Sequence, residues 1–347
     1  MPRMNNWFKK LKRQLFYLSI LKFKKNESVI RWGIVGVGHM AHEFGFAISS
    51  SKTSLISAVS GRREERVRKF SRRFNIHRSF KSYREMIDNS SGLFDILYVA
   101  TPVETHYEIV KYAIEKGIRV LCEKPITSNL GELKELLLIA KERKVFLMEA
   151  MWMSTLPTMQ KAKELVRSGI IGELKHLIIN FNKMNHYEAL VEIDGKPKYK
   201  GVLLDYGNYC IAFAQAFMPS AFMDIENAHS RKNGDIDFDW SLVLVSDKVK
   251  SYINISSSFE TDSKAVVIGS KGRIQWESQF NRTDRIILFD QFGNRIKKYK
   301  FSYKNNGFEF QLKEVERCIL HNSIESDIIP LSNSEQRMEF ITRLKLG

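Results

Sequence analysis

Cysteine is scarce in this sequence: Cys122, Cys210 and Cys318 are the only three, far apart and odd in number. That excludes a disulfide scaffold and a CxxC metal knuckle, and it fits a reducing cytoplasm. Proline (7) and glycine (19) are few, which excludes collagen-like and low-complexity chains. No apolar run approaches the ~20 residues that a membrane-spanning helix needs. Zinc-finger spacing, an RNP signature and a basic region with heptads are all missing, so no nucleic-acid partner is expected despite a net charge of +16. What is present is a 347-residue chain with length for two domains and a sizeable core.

Half of the net charge sits at the start. Residues 1–31 hold nine basic residues and one acid, Glu27. Trp7, Phe8, Leu11, Leu15 and Leu18 recur among them at helical spacing, giving an apolar stripe beside a basic face. Residues 1–28 therefore read as a basic amphipathic extension able to touch an anionic membrane surface. A frayed tail or an upstream start remains the alternative.

The organised region begins at Val29. Residues 29–35 form a short β-branched run that leads into Gly36-Val37-Gly38-His39-Met40-Ala41, a match to G-x-G-x-x-A, and then into a helix over about 40–49. Each part has a task in holding a dinucleotide. Gly36 permits the tight turn, Gly38 lets a pyrophosphate approach the backbone, and Ala41 lets the helix pack close to the strand. The helix N-terminus then offers free N–H groups to the phosphates. The alternative is an ordinary glycine turn of another α/β protein. The next strand, Leu55–Val59, ends at Ser60-Gly61-Arg62, where an adenosine ribose would land. An acid here would favour NAD(H). Arg62 instead suits a 2′-phosphate, so NADP(H) is the expected cofactor, with NAD(H) as second choice. Arg63, Arg66 and Arg68 read as the solvated face of the following helix.

Strands and helices continue to alternate: helix 64–74, strand 94–100, helix 104–116, strand 118–122, helix 128–144 with Ser128 as N-cap, and strand 145–149. This pattern predicts right-handed βαβ units and a parallel sheet. Val120–Pro125 places Lys124 at the carboxyl edge of that sheet, where ligands bind in open α/β folds. Leu203–Cys210 carries Asp205 and Tyr209 four apart, hence on one face if helical. A lysine, an aspartate and a tyrosine form a workable proton-transfer set: the lysine would lower the tyrosine pKa, and the carboxylate can hold a substrate hydroxyl.

These segments, together with Ala100-Thr101-Pro102 and His106, and Glu149-Ala150-Met151-Trp152, resemble the Gfo/Idh/MocA family of NAD(P)-dependent oxidoreductases over about residues 29–346. Glu-Ala-Met-Trp, Ser-Gly-Arg and Tyr209 point to the branch of glucose–fructose oxidoreductase and dimeric dihydrodiol dehydrogenase. The resemblance implies an α/β protein, with an N-terminal Rossmann domain over 29–150 and a C-terminal domain over 151–347 bearing a large, mostly antiparallel open sheet. Lys124 would polarise the substrate oxygen, Tyr209 would act as general acid/base, and Asp205 would orient the substrate. Gly36, Gly38, His39, Met40, Ser60, Gly61, Arg62, Thr101, Pro102, His106, Glu123 and Lys124 would form or line the cofactor site. It also implies a cis Lys124–Pro125 bond.

The implied substrate is a sugar, a sugar derivative or a related polyol, taken by a cytoplasmic enzyme. The open sheet face would join a homodimer or homotetramer. A non-catalytic dinucleotide-binding regulator is the alternative. Family members often carry several glycines before the Asp205 segment, whereas Lys196, Lys198 and Lys200 cluster there, which suits a negatively charged substrate or a solvated loop. His39 and His42 have no third ligand in view, and no metal is expected. His176 and His186 read as structural, and Phe308–Leu320 as an amphipathic packing helix.

Overall fold

The computed structural model describes residues 29–184, 201–218 and 224–346. The extension over 1–28, His186 and the Lys196–Lys200 cluster lie outside these residues.

Six strands form a parallel sheet: β1 (Ile30–Val35), β2 (Ser54–Ser60), β3 (Arg78–Phe80), β4 (Ile96–Val99), β5 (Arg119–Glu123) and β6 (Leu147–Ala150). Their order is β3-β2-β1-β4-β5-β6. All four residues of β4 and of β6 are buried, as expected where helices cover both faces. The covering helices are α1 (His39–Ser49), α2 (Glu64–Phe74), α3 (Tyr83–Asp88), α4 (His106–Glu115) and α5 (Leu130–Arg143). The α5 cap differs from the sequence reading. Asn129, not Ser128, caps the helix, its Oδ1 accepting from the Glu132 N–H at 3.1 Å. An Asn at this position satisfies an otherwise unpaired amide.

The crossover after β6 leads through Trp152–Thr155 into α6 (Pro157–Arg167) and the second sheet. That sheet has eight strands in the order β14-β13-β12-β11-β7-β10-β9-β8. They are β7 (Leu174–Asn182), β8 (Asp224–Asn233), β9 (Ile236–Ser246), β10 (Val249–Ser256), β11 (Ala265–Gly269), β12 (Gly272–Trp276), β13 (Arg285–Asp290) and β14 (Arg295–Lys300). Within this sheet, among the described residues, only β7 and β10 pair in parallel. One face is covered by α7 (Asn208–Phe217), whose Phe213 meets Trp276 edge-on at 4.8 Å. The other face leaves Ile178 and Tyr252 37% and 39% exposed.

Two last helices, α8 (Phe308–Leu320) and α9 (Leu331–Leu346), return to the first sheet. From α8, the buried Glu316 carboxylate accepts from Ser54 Oγ at 2.7 Å and Thr53 Oγ1 at 2.9 Å, at the start of β2. Arg337 of α9 forms a buried ion pair with Glu149 of β6, the two side chains being 4% and 3% exposed. The same guanidinium donates to Asn208 Oδ1 at 2.5 Å and to Gln215 Oε1 at 2.9 Å, both on α7. Ser334 completes the group by donating to Glu149 at 2.6 Å. Breaking such a buried pair by removing one partner costs about 3–5 kcal/mol, because the other charge is stranded.

Candidate active site

The first and second sheets meet at the carboxyl edge of β1, β4 and β5. Gly36 there has a φ of +95°, and a Cβ on it would lie 2.5 Å from the Ala100 carbonyl oxygen, so the turn needs glycine. Gly38 is open: the nearest atom to a Cβ built there is 3.9 Å away. α1 begins at His39 with no side-chain cap and no acid in its first turn, leaving its amides and positive dipole end uncovered. His39 is exposed and Met40 half-buried beside them. The strands diverge at β1/β4, the switch point where a dinucleotide lies in this topology. These features fit a dinucleotide's pyrophosphate.

Ser60 closes β2. Its carbonyl accepts from the Gly36 N–H at 2.9 Å, while its buried hydroxyl has no partner among the described residues. Gly61 packs so tightly on Val67 that a Cβ would come within 2.9 Å. Arg62 is exposed and makes no ion pair among the described residues.

Thr101 is half-buried and Pro102 exposed. His106, expected to line the site, is instead buried between two loop carbonyls, with Nε2 2.8 Å from Thr101 O and Nδ1 3.0 Å from Pro125 O. Burial holds the imidazole below its usual pKa, against the pull of those carbonyls. A neutral ring has one N–H, so it donates to one loop at a time. Glu123 is also buried, accepting from Tyr98 Oη at 2.5 Å. Burial pushes its carboxyl up to about 7, against the Tyr98 hydrogen bond and the Lys124 charge.

The Lys124–Pro125 bond is cis. Lys124 Nζ donates to the Asp205 carboxylate and to the Asp205 carbonyl, the latter at 3.1 Å, and lies 4.7 Å from the centre of the Tyr209 ring. The three residues picked from sequence therefore meet. Their backbone differs from the expected single α-helical face. Leu203–Gly207 is a turn of π-helix, and α7 starts only at Asn208. The turn is anchored by buried Asp237, which accepts from the Leu203 N–H at 2.7 Å. The Asp205 carboxylate, expected to face substrate, is engaged by Lys124, with 41% of its side chain still exposed.

The electrostatics also differ from expectation. Burial alone would lower the Lys124 pKa, but Asp205, Tyr209 and Glu123 outweigh it and hold the amine protonated. Burial raises the Tyr209 phenol, and the nearby lysine only partly offsets this, so the net shift is upward rather than downward.

Several site residues were not singled out by sequence. Trp152 Nε1 donates to Tyr209 Oη at 3.0 Å, and its ring stacks on Phe308 at 4.5 Å. Phe181 packs 6.0 Å from the Tyr209 ring. In the sequence the Glu-Ala-Met-Trp segment marks the family branch but assigns Trp152 no contact. Phe308 reads in the sequence only as the start of a packing helix, and Phe181 and Arg337 carry no local signal for the site. Among the described residues no group of three or more His, Cys, Asp or Glu is placed to hold a metal ion.

Fold and site together define a dinucleotide-dependent oxidoreductase. Residues 30–151 match the model of the oxidoreductase family with an NAD-binding Rossmann fold, and 159–275 match the GFO/IDH/MocA C-terminal domain. The chain belongs to the GFO/IDH/MocA family of NAD(P)-dependent oxidoreductases. It is 28% identical over 322 residues to mouse trans-1,2-dihydrobenzene-1,2-diol dehydrogenase, covering 90% of this chain and 95% of that one. The human protein of that name is 26% identical over 327 residues, covering 91% and 96%. Among solved structures, a 3-ketoreductase from Actinomadura kijaniata with NADP and TDP-benzene superposes with a TM-score of 0.81 at 20% identity, covering 92% and 98%. An oxidoreductase from Agrobacterium radiobacter with NAD+, L-tartaric acid and magnesium gives 0.75 at 17%, covering 91% and 95%.

Glu123 gives the fold a pH signature. Between about pH 4.5 and 7 the unfolded chain has lost a proton that the folded chain keeps, so stability falls as pH rises through that window. The contribution is on the order of 3 kcal/mol. Urea unfolding at pH 5 and pH 8 should show this fall in the unaltered protein and a smaller one in Glu123→Gln. An equal fall in both would remove Glu123 as the cause.

Proposed function

We propose that this oxidoreductase moves a hydride between NADP(H) and a hydroxyl-bearing carbon of a sugar, a sugar derivative or a related polyol, with Lys124, Asp205 and Tyr209 at the reacting centre. The observation that carries this reading is the set of contacts on Tyr209. Tryptophan Nε1 is a donor only, so Trp152 occupies a lone pair of the Tyr209 oxygen and leaves the phenolic proton free to be given away. Lys124 stands over the same ring as a fixed positive charge, held by Asp205.

A bound nicotinamide supplies or accepts the hydride. Lys124 stabilises negative charge growing on the substrate oxygen, and Tyr209 delivers the proton to that oxygen. In the reverse direction Tyr209 takes the proton, its phenolate being stabilised by the Trp152 N–H and the Lys124 charge. The upward shift of Tyr209 keeps it a phenol at neutral pH, which favours carbonyl reduction there and alcohol oxidation at higher pH. Asp205 fixes the amine and offers its exposed oxygen to a substrate hydroxyl. His106 and Glu123 act from behind, holding the Thr101 and Pro125 loops and the base of Lys124. Relatives named for a dihydrodiol and a ketone support chemistry at a hydroxyl-bearing carbon.

Arg62 supports NADP(H) over NAD(H), since an unpaired guanidinium at the end of β2 suits a 2′-phosphate. Three buried free cysteines support a reducing cytoplasm. No helix among the described residues is long and apolar enough to cross a membrane. On the open sheet face, Tyr252 lies between Ile178 and Val243 in register, an apolar strip that supports a homodimer or homotetramer through this face.

Three outcomes test the reading. Tyr209→Phe should lower turnover by ~10²–10⁴ with cofactor affinity nearly unchanged; unaltered turnover where chemistry limits the rate would remove the tyrosine. Arg62→Ala should weaken NADP(H) by ~1–3 kcal/mol and spare NAD(H), read by nucleotide fluorescence titration. Tighter binding of NAD(H) by the unaltered protein would overturn the preference. Light scattering should give a mass at least twice the 40.4 kDa of one chain, and a single-chain mass at micromolar concentration would count against assembly.

A further inference from the structure

A buried carboxylate on the second sheet governs the turn that holds Lys124. Asp237 is the second residue of β9 and is 3% exposed. Strict alternation would place it on the open face of the sheet, with Asp239 and the exposed Ser241. A β-bulge prevents this. Arg231 pairs with Asp239 but Lys232 with Asp237, so Phe238 is an extra residue on β9. The bulge turns Asp237 to the helix-covered face. There the buried Trp240 donates from Nε1 to Asp237 Oδ2 at 2.8 Å.

The same oxygen accepts from the Leu203 N–H. The helical segment that starts there has no cap of its own, because Val202 before it offers no side-chain hydrogen bond. Val202, Leu203 and Leu204 are all buried, so water does not satisfy the first amides either. Asp237 thus caps the segment from a neighbouring strand and sets a carboxylate at its positive end. The fit is close. Gly201 has a φ of +92°, and a Cβ on it would overlap the Asp237 carboxylate. Glycine alone lets the chain enter the turn past that group. Two residues after Leu203, Asp205 grips Lys124 by both its carbonyl and its carboxylate. Tyr209 follows at the start of α7. The capped end of the turn therefore sets where both groups stand.

We propose that Asp237 is a positioning residue for the reaction: by capping the π-helical turn it holds Asp205 on Lys124 and so fixes the amine against substrate. The inference rests on the assignment of Lys124 to the reacting centre. Burial opposes charge on that amine, and Asp205 of the turn, Tyr209 of α7 and Glu123 of β5 outweigh it. Loosening Asp205 tips this balance toward the neutral amine.

The pH dependence of Lys124 acetylation reads that balance, since only the neutral amine reacts. The probe is trace acetic anhydride on the full chain, with mass spectrometry of the Lys124 peptide. In the unaltered protein Lys124 should show no midpoint up to about pH 11. Asp237→Ala should bring the midpoint down by about one unit or more. Asp237→Asn keeps an accepting oxygen for both N–H groups and should restore it. Gly201→Ala leaves Asp237 in the chain but forces its carboxylate aside, and it should shift the midpoint as Asp237→Ala does. Should Asp237→Ala fail to fold, Gly201→Ala carries the same test. NADP(H) affinity near that of the unaltered protein reports an intact dinucleotide sheet. Turnover should fall with the midpoint, by up to ~10²-fold and chiefly in kcat. A Lys124 midpoint left in place by either alanine variant, with NADP(H) still bound, would overturn the proposal. The labelling needs no substrate, so it is read apart from the proposed chemistry, whose own failure shows as unaltered turnover in Tyr209→Phe.

Discussion

The buried ion pair between Glu149 and Arg337 is the constraint on which the rest of this structure depends. Glu149 lies on the last strand of the dinucleotide sheet, and the chain crosses to the second sheet directly after it. Trp152, three residues on, fixes the Tyr209 hydroxyl. From the other side Arg337 holds Asn208, the neighbour of Tyr209, and Gln215 on the same helix. The position of Tyr209 relative to Lys124 therefore follows from a charge pair that touches neither of them. A buried pair is a poor source of net stability but a stringent one for geometry, because neither charge tolerates the absence of the other.

Within the site, burial and charge compete, and the outcome differs residue by residue. Lys124 keeps its proton because a carboxylate, a phenol ring and a buried acid surround it. Tyr209 also keeps its proton, but for the opposite reason: desolvation of the phenolate exceeds what one lysine can offset. Glu123 is left near neutrality, between a tyrosine that favours its charge and an interior that opposes it. Proximity of a lysine to a tyrosine is thus insufficient to predict the tyrosine's ionisation. The degree to which water is excluded decides it.

Most of the first sheet was legible in the sequence because its signals are local. The run before Gly36, the glycine turn and the βα alternation all lie within neighbouring residues, and the helix over 64–74 occurs where its pattern placed it. Lys124, Asp205 and Tyr209 were legible through motif spacing, and they converge. What sequence could not supply was contact made across long stretches of chain. Trp152 reaches Tyr209 across 57 positions and Arg337 reaches Glu149 across 188. The π-helical turn at Asp205 escaped because Asp237, which anchors it, lies on a strand 34 positions later. The orientation of Asp205 toward Lys124 depends on that turn as well.

The lateness of Arg337 bears on how the protein is made. Synthesis runs from the N-terminus, so Lys124, Glu149, Trp152 and Tyr209 all leave the ribosome before the residue that neutralises Glu149. Until Arg337 emerges, closing the two sheets would bury a carboxylate without its counter-charge. Closure before that point favours a protonated Glu149, and the ionised pair forms only once Arg337 has been made. A chain stopped before Arg337 would hold every strand of both sheets and every proposed catalytic residue, yet no lock between them.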